Sequence, residues 1–452
     1  MAFPKNFVWG AAAASYQVEG GARDDGRGPS VWDMLCRKPG AIWNGQSGDV
    51  ACDHYHRWRE DVGIMKAIGL RAYRLSISWP RIMPDGTGQV NAKGLDFYDR
   101  LVDALLAAKV TPFVTLFHWD YPYALYCRGG WLNRCSADWY AEYATAVVAR
   151  LGDRVRHWMT HNEPQCFVGL GHYDGRHAPG DKLGWAEILR IAHHAHLAHG
   201  KGVQAIRAAS PGKCAVGQAP VGVVKIPASD SPRDIAAARR EMFSVSGHSV
   251  WNNTWWMDPI FLGRYPADGL KQYAADMPRV EPGDMETIHQ PLDFFGANIY
   301  NGVHVRAGKG GRPEVVPEPP GHALTAFKWP VTPEALYWGP RFFYERYKLP
   351  IYITENGLSS NDWPALDGRV HDPQRIDFTT RYLRELERAV RDGVDVRGYF
   401  HWSIMDNFEW AEGFKERFGL VHVDYVTQKR TLKDSAYWYK RVIATNGKAL
   451  RA

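Results

Sequence analysis

The chain lacks the features that mark several large protein classes. No uninterrupted apolar run reaches the ~18 residues that a membrane-spanning helix needs, so no membrane partner is expected. The stretch from Met1 to Gly10 has no basic segment followed by a long apolar one, so a secretory leader is not visible and a cytoplasmic location is expected. Only six cysteines occur in 452 residues (Cys36, Cys52, Cys127, Cys135, Cys166 and Cys214), with no Cys-x-x-Cys pair among them. They read as reduced thiols used for packing, and a zinc site built from them is not expected. Lys and Arg total 55 against 49 Asp and Glu, a net charge of +6 without a dense basic tract, so nucleic acid is not expected as a partner. No Gly-x-Gly-x-x-Gly turn follows the first strand, and neither a Gly-x-x-x-x-Gly-Lys-Ser/Thr loop nor a Gly-x-Ser-x-Gly elbow occurs. Those absences remove support for a nucleotide cofactor and for a serine hydrolase.

What the chain has in quantity is aromatic side chains: 19 Trp, 22 Tyr and 18 Phe. Such a load serves core packing, flat platforms for sugars or bases, or both. The length alone allows about three domains at ~150 residues each, although α/β barrels often exceed that as one unit. Hydrophobic residues at 45% and charged residues at 23% suit a globular chain with a large core.

Short β-rich runs alternate with amphipathic helical patterns. Strands are expected at Phe7 to Ala13, Ala72 to Ser78, Pro112 to Trp119, His157 to Glu163, Ala215 to Ala219, Phe294 to Ile299, Ile351 to Thr354 and Gly398 to Ser403. Helices are expected at Lys93 to Ala108, Asp138 to Leu151, Ala186 to Ala209, Asp234 to Phe243, Pro333 to Tyr347 and Pro373 to Arg391. Asn91 and Ser136 stand where N-caps would help, and Gly393 where a helix needs a left-handed end. Eight strand-helix units favour an α/β fold, a single (β/α)8 barrel spanning 1–452 with long βα loops; a doubly wound open sheet is the competing arrangement. The Gly- and Pro-rich stretch Arg306 to Pro320 reads as a surface loop rather than a hinge. No internal repeat or low-complexity linker divides the chain.

In such a barrel the active site is built at the C-terminal ends of the strands. The third strand ends in Phe117-His118-Trp119-Asp120, the fourth in Thr160-His161-Asn162-Glu163-Pro164, the sixth in Asn298-Ile299-Tyr300 and the seventh in Thr354-Glu355-Asn356-Gly357. The eighth runs into Trp402 and on to Phe408-Glu409-Trp410. Glu163 and Glu355 therefore face each other across one barrel mouth. An isolated Glu at either place would read as a cap or an ion-pair partner. Two together suit glycoside hydrolysis, which needs one protonated carboxyl and one ionised carboxylate. Burial and mutual repulsion raise one of the pair, consistent with Glu163 as the acid and Glu355 as the anion.

The runs Thr160 to Pro164 and Ile353 to Gly357 resemble the paired signatures of glycoside hydrolase family 1, the retaining β-glucosidases. Supporting stretches lie at Phe7 to Gly20, Gly48 to Tyr55, Arg74 to Arg81, His118 to Asp120, Gly129 to Asn133, Asp293 to Tyr300, Asp406 to Trp410 and Arg417 to Tyr425. The resemblance implies Glu355 as nucleophile, Glu163 as general acid/base and Tyr300 as a hydrogen-bonding support for the nucleophile. It implies Gln17, His118, Asn162 and Glu409 as holders of sugar hydroxyls, with Asn162 at the 2-hydroxyl. It also implies Trp402 as the platform beneath the sugar, Trp410 as a second aromatic with an N–H for a hydroxyl, and Trp329 on the aglycone side. No metal or other cofactor is implied. The implied substrates are small β-glycosides such as cellobiose or aryl glucosides, with gluco-, galacto- or fuco-preference open. Glu409-Trp410 suits an unphosphorylated sugar, because relatives acting on 6-phosphorylated sugars replace that pair. Intact Glu163 implies ordinary O-glycosides.

This chemistry matches a pyranose, whose rim of hydroxyls wants bidentate side chains and whose C–H face wants an indole. Two rival readings keep the same scaffold: a transglycosylase, and a non-catalytic sugar-binding protein. The histidines His193, His194, His196 and His199 sit at helical spacing but lack a His-Glu-x-x-His arrangement, so they read as structural. The sequon at Asn252 is expected to stay unmodified.

Overall fold

A computed structural model describes residues 3–451 of the chain. Eight parallel strands close into a barrel: β1 (Val8–Ala12), β2 (Ala72–Ser76), β3 (Thr111–Phe117), β4 (His157–Asn162), β5 (Ala215–Ala219), β6 (Phe294–Asn298), β7 (Ile351–Asn356) and β8 (Val396–Trp402). Each coincides with one of the eight strands expected from the sequence, within a few residues at its ends. β1 closes the barrel by pairing with β8 on one side and β2 on the other, so Gly10 stands opposite both Phe400 and Ala72. A Cβ on Gly10 would lie 2.5 Å from the Phe400 ring and 2.9 Å from the Ala72 carbonyl oxygen. Only glycine lets the strands meet there.

The barrel interior is filled in two layers of different chemistry. Near the N-terminal ends Phe113 packs on His157, Tyr352 and Phe400 at centroid separations of 4.0, 5.5 and 4.9 Å, and Tyr352 meets Phe294 at 5.2 Å. This aromatic plug draws on strands from opposite sides of the barrel, so it fills the lumen rather than its outside. Above it lies a polar layer around Arg74 of β2, and above that the mouth.

The six expected helices form, at Ala92–Ala107, Ser136–Leu151, Trp185–Ala209, Pro232–Met242, Ala335–Tyr347 and Pro373–Arg391. The last buries Phe378, Tyr382, Leu383 and Leu386, the i, i+4, i+5, i+8 stripe that its sequence carries. Gly393 follows it with φ +92°, as expected for a left-handed end.

Three local expectations are corrected. Ser136 is the first helical residue rather than the cap, and its hydroxyl donates to the Gly130 carbonyl instead. Asn91 does occupy the N-cap position, but its amide donates to the carbonyls of Asp25 and Arg81 and caps nothing. Each side chain donates to a carbonyl outside its own helix instead of accepting from a first-turn N–H. The stretch from Arg306 is not merely a loop: Gly302–Ala307 and Pro313–Val315 pair antiparallel through a turn with Gly310 and Gly311 at positive φ, and Val224–Pro227 completes a small sheet. The glycines that suggested a loop supply the hairpin turn.

The long segment after β8 is pinned by buried charge. Asp406 accepts from Lys433 Nζ at 2.7 Å, from an Arg417 guanidinium N–H at 2.7 Å and from the Gly419 N–H at 2.9 Å. Removing either partner from a buried pair leaves an uncompensated charge, which holds this loop in one arrangement. The four helical histidines are bonded within the protein: His193 to Tyr265 and Asp284, His194 to the Trp131 carbonyl, His196 to Tyr265 and His199 to Thr160. All six cysteines are free, and among the described residues no helix is long and apolar enough to cross a membrane.

Candidate active site

A cavity of about 420 Å³ opens at the C-terminal mouth of the barrel, within the range usual for small-molecule sites. Glu163, Glu355, His118, Tyr300, Trp402, Glu409, Trp410 and Trp329 all line it. Residues from β3, β4, β6, β7 and β8 ends, separated by up to 292 positions in sequence from His118 to Trp410, thus share one space because every parallel strand points its C-terminus the same way.

The two carboxyls have different surroundings. Glu355 ends β7, where the Tyr300 hydroxyl donates to its Oε2 at 2.7 Å and Arg74 Nη1 donates to its Oε1. Glu163 follows β4 in a left-handed backbone conformation at φ +45°, a position most non-glycine residues avoid, and its N–H donates to the Ala219 carbonyl at 2.9 Å. Strain of this kind persists where the surroundings fix it, as at active sites. Its Oε1 accepts a neutral amide N–H from Asn298 Nδ2 at 2.9 Å, and the Cys166 thiol also bonds to this carboxyl. Burial first, and then the charge of Glu355, push the Glu163 carboxyl up to about 8. Burial raises Glu355 too, but the cationic Arg74 and its hydrogen bonds, with Tyr300, oppose that rise. The cationic Arg74 therefore favours the charged form on Glu355 over that on Glu163.

Arg74 is the hub of the polar layer. Its Nη2 donates to Asn162 Oδ1 at 2.5 Å, its Nε to Thr115 Oγ1 at 3.2 Å, and its Nη1 also reaches the Thr354 carbonyl at 3.2 Å. Asn298 Nδ2 donates to Asn162 Oδ1 at 2.9 Å as well as to Glu163, while its Oδ1 accepts from Thr354 Oγ1 at 2.6 Å, which fixes the orientation of the amide. Asn162 Nδ2 in turn lies 3.0 Å from His118 Nε2, so that nitrogen accepts. Burial, then Arg74, push the His118 imidazole well below its ordinary value, and it is neutral.

Aromatic packing holds the walls. Trp410 is wedged among Trp119 at 4.5 Å, Trp32 at 4.6 Å and Tyr16, whose ring is near parallel at 9°. The Trp119 indole N–H donates to the Asn162 carbonyl at 2.9 Å. His118 stacks between Trp402 and Trp410, 5.9 Å from each. Trp329 forms another wall with Phe327 at 4.6 Å and Tyr300 at 5.1 Å.

Gln17 and Asn162 lie just behind the cavity surface. Both are fully buried, and each is bonded to a lining residue, Gln17 Nε2 to Glu409 Oε2 at 3.2 Å and Asn162 to His118 and Asn298. Among the described residues none hydrogen-bonds to Gln17 Oε1. Glu409 is pushed up to about 8 by burial first, then by the charges of Glu355 and Glu416.

Sequence reasoning passed over Arg74 and Asn298 as site residues, although both lay inside motifs. The available signal was an arginine in the middle of an apolar strand, which cannot be buried without an anion to meet it. Cys166, expected only to pack, lines the cavity one helical turn beyond Glu163.

The family model described as Glycosyl hydrolase family 1 matches residues 1–448. A 1,4-beta-D-glucan glucohydrolase of Thermotoga neapolitana is 45% identical over 98% of this chain and 99% of its own length. A bifunctional beta-D-glucosidase/beta-D-fucosidase of Bifidobacterium breve is 39% identical over 98% of each chain. A beta-glucosidase from Thermotoga maritima, solved in complex with glucoimidazole, superposes with a TM-score of 0.90 at 43% identity over 99% of both chains.

Proposed function

The chain belongs to glycosyl hydrolase family 1 and is a glycoside hydrolase, and from that premise we propose that it is a retaining, exo-acting β-glucosidase working as one catalytic domain over 1–452. Its substrates are small β-glycosides such as cellobiose or aryl glucosides, with β-fucosyl and β-galactosyl groups as further candidates for the same pocket. One observation carries the reading: two buried carboxyls share a cavity, and the charge-stabilising donors, Arg74 and Tyr300, both fall on Glu355.

In this mechanism Glu355 attacks the anomeric carbon while Glu163 gives its proton to the departing glycosidic oxygen. A glycosyl ester forms on Glu355 as the C1–O bond breaks, and the aglycone leaves as an alcohol. Esterification removes the Glu355 charge that had held the Glu163 pKa up, so Glu163 becomes a base. It then takes a proton from water, whose oxygen attacks C1 and releases Glu355. Two inversions give net retention. Such a mechanism calls for carboxyl groups about 5–5.5 Å apart. His118, Asn162, Gln17 and Glu409 hold the sugar rim, Trp402 lies beneath the ring with Trp410 beside it, and Trp329 meets the aglycone. A hydroxyl of inverted configuration leaves one of these buried groups unpaired, which is how the pocket discriminates.

The test is a pair of measurements. Proton NMR of early hydrolysis should show β-glucose as the first product from an aryl β-glucoside, and Glu355→Ala should lose at least about 10³-fold in kcat. First release of the α-anomer, or full activity in Glu355→Ala, would overturn the assignment.

A further inference from the structure

The cavity wall that carries Trp329 is built on neither a helix nor a long strand. After the short strand Pro313–Val315 the chain runs to Thr332 with one isolated bridge, Leu324 to Pro330, and side chains tie it to its surroundings. Its sequence begins Val316-Pro317-Glu318-Pro319-Pro320-Gly321-His322. Prolines fix φ on both sides of Glu318, and Gly321 turns the chain at φ +78°, so the carboxylate stands on a stiff stem. It meets two imidazoles. His304 Nδ1 donates to its Oε1 at 3.0 Å, and His322 Nδ1 lies 3.2 Å from its Oε2. His322 Nε2 reaches on to the Val331 carbonyl at 3.1 Å, two residues beyond Trp329.

None of these three side chains lines the cavity, but each adjoins a segment that does. His304 follows Asn301, Gly302 and Val303, and His322 opens the turn that supplies Phe327 and Trp329. One carboxylate therefore links both parts of this wall. The turn is closed by the Thr325 N–H to the Trp329 carbonyl and by the Val331 N–H to the Ala323 carbonyl, each at 2.9 Å. Lys328 at its tip is left-handed at φ +62°, a conformation that a non-glycine residue keeps only where its surroundings hold it. We propose that Glu318 is a positioning residue for the aglycone wall: by holding His304 and His322 together it sets where Trp329 stands, and so how far a ring-bearing aglycone is favoured over a small one. This rests on the β-glucosidase reading, within which Trp329 meets the aglycone. Without the carboxylate the turn keeps its anchor at Ser359, whose Oγ accepts from the Phe327 N–H at 2.9 Å, and loses its tie to the neighbouring strand.

The experiment measures kcat and KM of the wild type, E318A, E318Q, W329A and the double variant E318A/W329A on cellobiose and on methyl β-glucoside. Both leaving groups are alkyl alcohols, so they ask similar help from the acid, but only cellobiose offers a ring to the wall. Melting temperatures establish folding, and the nearly isosteric E318Q, alone and with W329A, replaces E318A if that does not fold. The cellobiose-to-methyl glucoside ratio of kcat/KM should fall about fivefold in E318A, the order of one lost aromatic contact. The loss should lie in KM with kcat held, as for a contact made equally before and during bond cleavage. E318Q should fall less, because its amide keeps one acceptor oxygen for one imidazole. Adding E318A to W329A should change the ratio by less than about twofold, since the ring through which Glu318 acts is gone. An unchanged ratio in folded E318A or E318Q, equal losses on both substrates, a loss in kcat alone, or additive losses in the double variant overturn the proposal and leave the β-glucosidase reading intact. An unchanged ratio in W329A overturns the placement of that ring against the aglycone, and the proposal with it. A wild type inactive on both substrates overturns the β-glucosidase reading itself.

Discussion

Tyr300→Phe removes one hydrogen bond and little else, which makes it a sharp probe of how the nucleophile is kept ionised. The hydroxyl donates to Glu355 Oε2 at 2.7 Å inside a buried cavity, and Arg74 donates to the other oxygen. A hydrogen bond to a charged group is worth about 1.5–3 kcal/mol, and one pKa unit corresponds to about 1.4 kcal/mol, so the loss should raise the pKa of Glu355 by about 1–2 units. The sign follows from the chemistry: Glu355 must be anionic to attack, and a raised pKa means more alkali is needed to reach that state. The acidic limb of kcat/KM against pH, measured with an aryl β-glucoside, should therefore move up by about 1–2 units. The phenyl ring of the variant still packs against Trp329, 5.1 Å from the tyrosine ring centroid, so the wall of the pocket should stand. An acidic limb that stays in place in a folded variant would refute the reasoning, as would an equal shift of the basic limb.

Three further outcomes follow from the same geometry. Glu163 must be protonated to act as acid and its carboxyl is pushed up to about 8, so kcat/KM of the wild type should hold through neutral pH and fall as pH rises past about 8. In Glu163→Ala, glycosides with poor leaving groups should lose far more than activated aryl ones, and added azide should speed turnover and yield a β-glycosyl azide; equal damage to both substrate types would contradict the acid role. A Cβ at Gly357 would lie 1.9 Å from the Trp402 carbonyl oxygen, a backbone atom that cannot turn aside. Gly357→Ala should thus part the ends of β7 and β8, displace Trp402 and cost about tenfold or more in kcat/KM, and unchanged steady-state kinetics would show that the platform does not depend on that contact.

Most of the architecture was legible from local patterning. A strand buried on both faces must be apolar for several residues, and a helix covering it must carry a 3.6-residue stripe, so eight such units announced themselves without any knowledge of contacts. The failures lie where contacts outside the local segment decided the geometry. Ser136 turned to Gly130 and Asn91 to Asp25 and Arg81, and the turn glycines after Arg306 closed a hairpin instead of loosening a loop.

The site divides along the same line. The sequence by itself determined which residues stand at the strand ends, and hence that Glu163 and Glu355 face one mouth, because strand direction is common to the whole barrel. Its motifs also pointed to Trp402, Trp410 and Trp329, which line the cavity, but not to Trp251, which lines it as well. Only the tertiary structure decided the electrical asymmetry between the two carboxyls. That asymmetry comes from Arg74 on β2 and Tyr300 beyond β6 converging on Glu355 from 281 and 55 residues away, while Glu163 meets the Asn298 amide and the Cys166 thiol. Charge interactions depend on separation in space, and no spacing along the chain encodes a distance of that kind.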